Sequence, residues 1–187
     1  MSEISSTTLR RACKIVHVDA VQVEYSPFDL DIERSKGTDL LATCRELGVA
    51  VVAYSPLGKG ILTDAFVSKK SLPGEEGDMR SAFPRFSGDN VVANAKLAAQ
   101  FKSLAENKGC TAAQLAIAWL LRQGPDIIPI PGTRRIKYLE ENWGALKVEL
   151  TDADEAEVRK FVEAAEVAGG RTPDMVKHMC YIDTKEE

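Results

Sequence analysis

The residues best suited to chemistry lie late in the chain, in the run Ile128-Pro129-Ile130-Pro131-Gly132-Thr133-Arg134-Arg135-Ile136-Lys137-Tyr138-Leu139-Glu140-Glu141-Asn142. A short apolar strand pattern ends in a glycine turn, a hydroxyl and two guanidinium groups follow, and a helical pattern begins. That order gathers backbone N–H groups, a threonine hydroxyl and arginine side chains toward one point, which is the composition of a phosphate cradle. The same letters fit an ordinary strand-to-helix turn with solvated arginines, so composition leaves both readings open. Two other segments carry polar or aromatic side chains to the ends of strand-like runs: Ala20-Val21-Gln22-Val23-Glu24-Tyr25-Ser26-Pro27 and Ala53-Tyr54-Ser55-Pro56-Leu57-Gly58-Lys59-Gly60. Taken singly, Gln22 reads as a strand-face polar residue and Tyr54 as a packed aromatic. His17, between a helix pattern and a strand pattern, reads as structural or solvated, and His178 reads as a solvated tail residue. Cys13, Cys44, Cys110 and Cys180 are far apart and form no C-x-x-C pair, so no metal site is expected and each reads as a small hydrophobe.

The elements that must position these groups follow from periodicity. Residues 9–16, behind Ser6-Thr7-Thr8, place Leu9, Ala12, Cys13 and Val16 at helical spacing. Residues 20–25 alternate apolar and polar, predicting a strand that stops before Pro27 and puts Gln22 and Glu24 on one face. Residues 37–47 give a helix through Leu40, Leu41, Cys44 and Leu47, closed by Gly48. The continuous apolar run 49–54 predicts a parallel strand buried on both faces. Residues 69–88, rich in Pro, Gly, Ser and charge, are expected to be a flexible loop. Helices are expected at 91–107 and at 111–122, the latter with Thr111 as N-cap, a strand at 126–130, and helices at 136–143 and 151–167. Thr151-Asp152-Ala153-Asp154 opens the last as a capping box, and residues 169–187 read as a polar tail that wraps or frays. The β/α alternation argues for an α/β fold with a parallel sheet, over a single domain spanning 1–187. Three strand patterns cannot close a (β/α)8 barrel, which needs eight strands and about 250 residues, and open sheet edges are left over.

Bulk properties narrow the partner. The chain has 187 residues, 44% of them hydrophobic, and a formal charge of −4 with both signs dispersed. No basic stripe for nucleic acid and no polybasic patch for a membrane surface results, so a small molecule is the expected partner. No apolar run reaches the roughly 20 residues of a membrane span, and Met1-Ser2-Glu3-Ile4-Ser5-Ser6 has no signal-peptide pattern, which makes a cytoplasmic location the expectation.

The run 128–142 closely resembles the cofactor segment of the aldo-keto reductases, which holds the adenosine 2′-phosphate and the adenine of NADPH. The resemblance implies that Thr133 and Arg134 face the 2′-phosphate and that Glu141 and Asn142 reach the adenine. Tyr138 stands where many members carry a basic residue gripping the 2′-phosphate or stacking on adenine, a departure that Arg135 or Lys137 is positioned to compensate. The 20–27 segment resembles the strand whose glutamine binds the nicotinamide carboxamide. The 53–60 segment resembles the strand and loop that stack on the nicotinamide and cover the pyrophosphate. Gln22, Tyr54, Ser55, Leu57 and Lys59 inherit those roles, and Ser2, in Ser2-Glu3-Ile4-Ser5, matches a serine that also contacts the carboxamide.

The resemblance runs from Ser2 to about Glu166 but covers only the second half of the family's fold, implying a partial (β/α)8 barrel of the last three to four βα units. The family's proton-donating tyrosine and its lysine, aspartate and histidine helpers belong to the other half. The function implied is therefore NADP-dependent carbonyl/alcohol interconversion, incomplete in these residues alone, with an N-terminal half or a second copy as the complementing partner. Tyr25, Glu24 and His178 are the local catalytic candidates if the chain has chemistry of its own. Two alternatives stand beside this one: a dimeric half-barrel turned to a non-redox reaction such as a cyclase, isomerase or dehydratase, and a non-catalytic NADP-binding module.

Overall fold

Three β-strands form the centre: β1 (Ala20–Glu24), β2 (Ala50–Tyr54) and β3 (Ile127–Pro129), paired in the order β1-β2-β3 and all parallel. The structure, a computed structural model, describes residues 1–68, 70, 73 and 78–185. Rows of aligned residues cross the sheet, with Val21, Val51 and Ile127 in one and Gln22, Val52 and Ile128 in the next. Because side chains alternate between faces, the first row points into the helix layer and is buried, whereas the second faces the other side. There Gln22 is exposed and Ile128 is 48% exposed. The run 49–54 is accordingly buried on one face and only half-buried on the other, which corrects the expectation of a strand enclosed on both sides.

Helices α1 (Ser6–Cys13), α2 (Leu40–Leu47), α4 (Asp89–Asn107), α5 (Ala112–Arg122) and α7 (Asp152–Ala164) surround this core, with the short α3 (Asp64–Val67) and α6 (Ile136–Gly144) beside the loops. The α1 cap is Ser5, whose hydroxyl accepts the Thr8 N–H at 3.0 Å, so the helix starts three residues before the expected 9–16. Helix α5 is apolar on most sides and largely buried. Its Trp119 packs edge-on to Tyr25 at 6.0 Å, with the Arg159 guanidinium 4.7 Å from the indole centroid. Thr111 and Thr151 each make a reciprocal capping box, with Gln114 and Asp154 respectively.

The segment that read as a loop from residue 69 to 88 falls partly outside the described residues, at 69, 71, 72 and 74–77. Its described part forms two short 3-10 turns, Met79–Ala82 and Pro84–Phe86. Phe86 is buried there, and Arg85 reaches Asp29 at 3.0 Å. Asn94 of α4 binds this segment to the chain beyond α7, donating to the carbonyls of Arg85 and Ala168 and accepting the Ala168 N–H, all at 2.9 Å.

Past Gly169, the chain crosses to the N-terminus. Ile182 pairs in parallel with Ile4: Ser5 N–H donates to the Ile182 carbonyl at 2.9 Å and Ile182 N–H to that of Glu3 at 3.0 Å. Residues 1–3 in turn flank β1, with Glu3 N–H donating to Gln22 O at 3.1 Å. One side of the sheet is thus covered by the chain's own termini. The outer side of β3 meets no strand among the described residues, and Ile130 N–H, donating to Ala53 O at 3.0 Å, fixes which of its backbone groups face inward.

Candidate functional site

Parallel pairing brings the C-terminal ends of all three strands to one side, where Glu24, Tyr54 and Pro129 feed their loops. The loop after β2 is a chain of tight turns: Gly58 N–H donates to Ser55 O at 2.8 Å and Gly60 N–H to Leu57 O at 3.0 Å. Ser55 (φ 49°) and Lys59 (φ 56°) take left-handed backbone conformations, which cost an L-residue roughly 1–3 kcal/mol each and concentrate at functional loops.

Between this loop and the segment after β3 lies a cleft of about 950 Å³. Seven of the eleven residues singled out for cofactor contact line it: Ser55, Leu57 and Lys59 on one wall, and Thr133, Tyr138, Glu141 and Asn142 on the other. Asn142 is buried, and Gln114 ties its helix to α5 by donating to the Glu141 carbonyl at 3.1 Å. The Thr133 hydroxyl accepts the Arg135 N–H at 3.2 Å, closing the turn that carries the chain into α6.

Ser2, Gln22, Tyr54 and Arg134 lie outside the cleft lining. Ser2 pairs with Gln22 through a parallel backbone bridge at the outer edge of β1, and both residues are exposed. Tyr54 stands on the same sheet face as Gln22, beside Glu24, its paired residue in β1. Arg134 is exposed and makes no ion pair among the described residues.

Beside the cleft is a buried network of charge. Glu24 is fully buried and accepts from Lys59 Nζ through both carboxylate oxygens, at 2.6 and 2.7 Å. Arg171, from beyond α7, lies 3.4 Å from Glu24 and 2.7 Å from Glu3, donates to the Tyr54 hydroxyl at 3.4 Å, and has its guanidinium 5.0 Å from the Tyr181 ring centroid. Two carboxylates thus meet two cations, the arrangement that makes burial of charge tolerable. Burial, reinforced by the Glu24 charge, pushes the Tyr54 hydroxyl well above the ordinary phenol range. Burial and Glu24 likewise push Asp29 up to about 6, against the lowering pull of Arg85.

The local acid/base candidates fare differently. Glu24 is committed to Lys59 and Arg171. Tyr25 points into the helix layer, where its hydroxyl donates to Glu33, and burial holds it far above the phenol range. His178 is exposed on the 3-10 turn Asp174–Met179, and His17 is also exposed, 4.0 Å from Asp19. Arg171 went unrecognised in the sequence because its meeting with Glu3 depends on the tail's path. Gln114, which also lines the cleft, carried a readable signal as the fourth residue of the Thr111 capping box. Among the described residues no cluster of His, Cys, Asp and Glu suits a metal ion, and no helix is long and apolar enough to cross a membrane.

The aldo/keto reductase family model matches residues 1–163. The chain is 47% identical over 184 residues to the NADP(+) aldo-keto reductase yakc of Schizosaccharomyces pombe, covering 98% of this chain and 53% of that protein. It is 47% identical over 175 residues to the aldo-keto reductase str7 of Strobilurus tenacellus, covering 94% and 51%. Among solved structures, a thermostable aldo-keto reductase in complex with epalrestat superposes with a TM-score of 0.58 at 25% identity, over 86% of this chain and 46% of its own. The glycerol dehydrogenase of Gluconobacter oxydans gives 0.69 at 23% identity, over 86% and 47%, a likeness of fold. The chain therefore spans about half the length of these relatives, and it belongs to the aldo/keto reductase family.

Proposed function

We propose that these residues form the dinucleotide-phosphate half of an NADP-dependent oxidoreductase that interconverts carbonyls and alcohols, as the last βα units of a (β/α)8 barrel. The observation that carries this reading is the cleft, in which seven residues assigned from the sequence converge from two strand-end loops. Its walls supply what a dinucleotide needs: turn-rich backbone for the pyrophosphate, a hydroxyl and cations for the ribose phosphate, and the buried Asn142 with Glu141 for the adenine edge. Gln22 and Tyr54, on the adjoining open face, and Ser2, at its edge, are assigned to the nicotinamide.

Hydride delivery to a carbonyl also requires a proton donor and a pocket that orients the substrate. With Tyr25 turned into the helix layer and Glu24 bound to two cations, these residues present neither at the open face. A positioned acid contributes about 10²–10⁴-fold, so the complementing half supplies the proton and most of the rate. The open face, with Ile128 48% and Ile130 43% exposed, is where that half packs.

Titration of the purified chain with NADPH, followed by quenching of tryptophan fluorescence, tests the cofactor assignment. Saturable binding that weakens in Asn142→Ala is expected, and absence of binding would overturn it. Reduction of small aldehydes is expected only when the complementing half is added, and fast turnover by the chain alone would contradict the division of labour.

A further inference from the structure

Three cations follow β3, and the fold does not treat them alike. Arg134 and Arg135 are absent from the cleft lining, whereas Lys137 lines it together with Thr133, Tyr138 and Asn142. Lys59 lines the opposite wall but is committed to Glu24 through both carboxylate oxygens. Lys137 has no carboxylate partner among the described residues. Its Nζ lies 5.9 Å from the centroid of the Tyr138 ring, and the Arg135 guanidinium lies 5.8 Å from the same centroid. The negative face of an aromatic ring attracts cations at this range. Tyr138 therefore gathers two positive charges without neutralising either, which a carboxylate in its place could not do.

We infer that Lys137, braced by the Tyr138 ring, is the side chain that selects a 2′-phosphorylated dinucleotide over its unphosphorylated counterpart, and that Arg134 is not. The inference rests on the cofactor reading above and reassigns the phosphate-facing cation within it. A ribose 2′-phosphate is a compact dianion with acceptor oxygens on all sides, matched by an ammonium on a flexible stem that is free of other partners. Glu140 and Glu141 also line the cleft, and their charges disfavour an anion there unless a cation intervenes. Lys137, adjacent in sequence to the ring, is exposed and lines the same cleft, and so offers that cation. The motif thus replaces one basic residue at position 138 by an aromatic ring flanked by two cations.

The test compares binding of NADPH, NADH, adenosine 2′,5′-bisphosphate and 5′-AMP by calorimetry, with far-ultraviolet circular dichroism as the check on folding. Loss of a charge-assisted contact weakens binding by about tenfold or more. In Lys137→Ala, NADPH and the bisphosphate are expected to weaken by that factor while NADH and 5′-AMP hold within about twofold. Lys137→Arg and Tyr138→Phe are expected to keep the preference, since charge and ring remain, whereas Tyr138→Leu reduces it. Arg134→Ala leaves it in place. An unchanged NADPH-to-NADH ratio in Lys137→Ala, or a collapse of the ratio in Arg134→Ala or in Lys70→Ala, Lys70 being an exposed lysine that also lines the cleft, overturns the assignment while leaving the cofactor reading intact. Failure of the wild-type chain to bind either dinucleotide removes both.

Discussion

Replacing Arg171 with alanine tests whether the buried charge network holds the tail. The arginine side chain is 5% exposed, touches Glu3 at 2.7 Å and Glu24 at 3.4 Å, and lies 3.9 Å from Asp31. Removing one member of a buried ion pair costs about 3–5 kcal/mol, because the partner is left desolvated and uncompensated. Glu24 keeps Lys59, which places this case at the lower end, about 3 kcal/mol. With a urea dependence of about 2 kcal/mol per molar for a chain of this size, the unfolding midpoint falls by about 1.5 M. The assay is equilibrium urea denaturation at neutral pH, followed through Trp119, which is buried in the core. A cycle with Glu3→Gln separates the pair's coupling from lost packing against Tyr181. The tail's backbone hydrogen bonds to Glu3 and Ser5 remain in the variant, but freed from its anchor the segment after Gly169 becomes a protease site. A midpoint that moves by less than about 0.3 M, together with unchanged proteolysis, refutes the argument that this network secures the tail.

Thr111→Ala removes one arm of the α5 capping box and is expected to cost about 1 kcal/mol, lowering the thermal midpoint by roughly 2–4 °C. An unchanged midpoint in calorimetry would show that the cap is redundant with the burial of α5. Burial, aided by the Asp126 charge, pushes the Cys44 thiol up to about 11, so its thiolate fraction at pH 8 is on the order of 10⁻³. Brief iodoacetamide treatment of the native chain, read by peptide mass spectrometry, is expected to spare Cys44 while labelling the partly exposed Cys13, and equal labelling of the two contradicts the buried placement.

Local pattern carried much of the fold. The strands at 20–24 and 50–54 were legible from alternation and an apolar run, and the starts of α5 and α7 from Thr111 and Thr151, because these signals act over four or five residues. The cleft was legible in outline because both walls are strand-end loops, and a parallel sheet puts such loops on one side. What periodicity cannot encode is contact between distant segments. Glu24 read as a local acid/base candidate at a strand end, yet Arg171, 147 positions later, lies against it and leaves it buried. Tyr25 sat next to the site in sequence, but the one-residue phase of a strand sent it to the opposite face. At the turn after β3, the choice among Arg134, Arg135 and Lys137 hinges on where α6 begins, a matter of one residue that a run of basic side chains does not resolve.

The uncovered side of β3 has a chemical bias. With Ile128 and Ile130 turned toward β2, the outward backbone positions are Ile127 and Pro129, and the Ile127 N–H is already spent on Gly124 O at 3.2 Å. Proline has none to give. This border can accept hydrogen bonds but not offer them, so two copies laid border to border would set carbonyl against carbonyl. Self-templated growth of the sheet is discouraged there, and a strand arriving to extend it must bring its own donors.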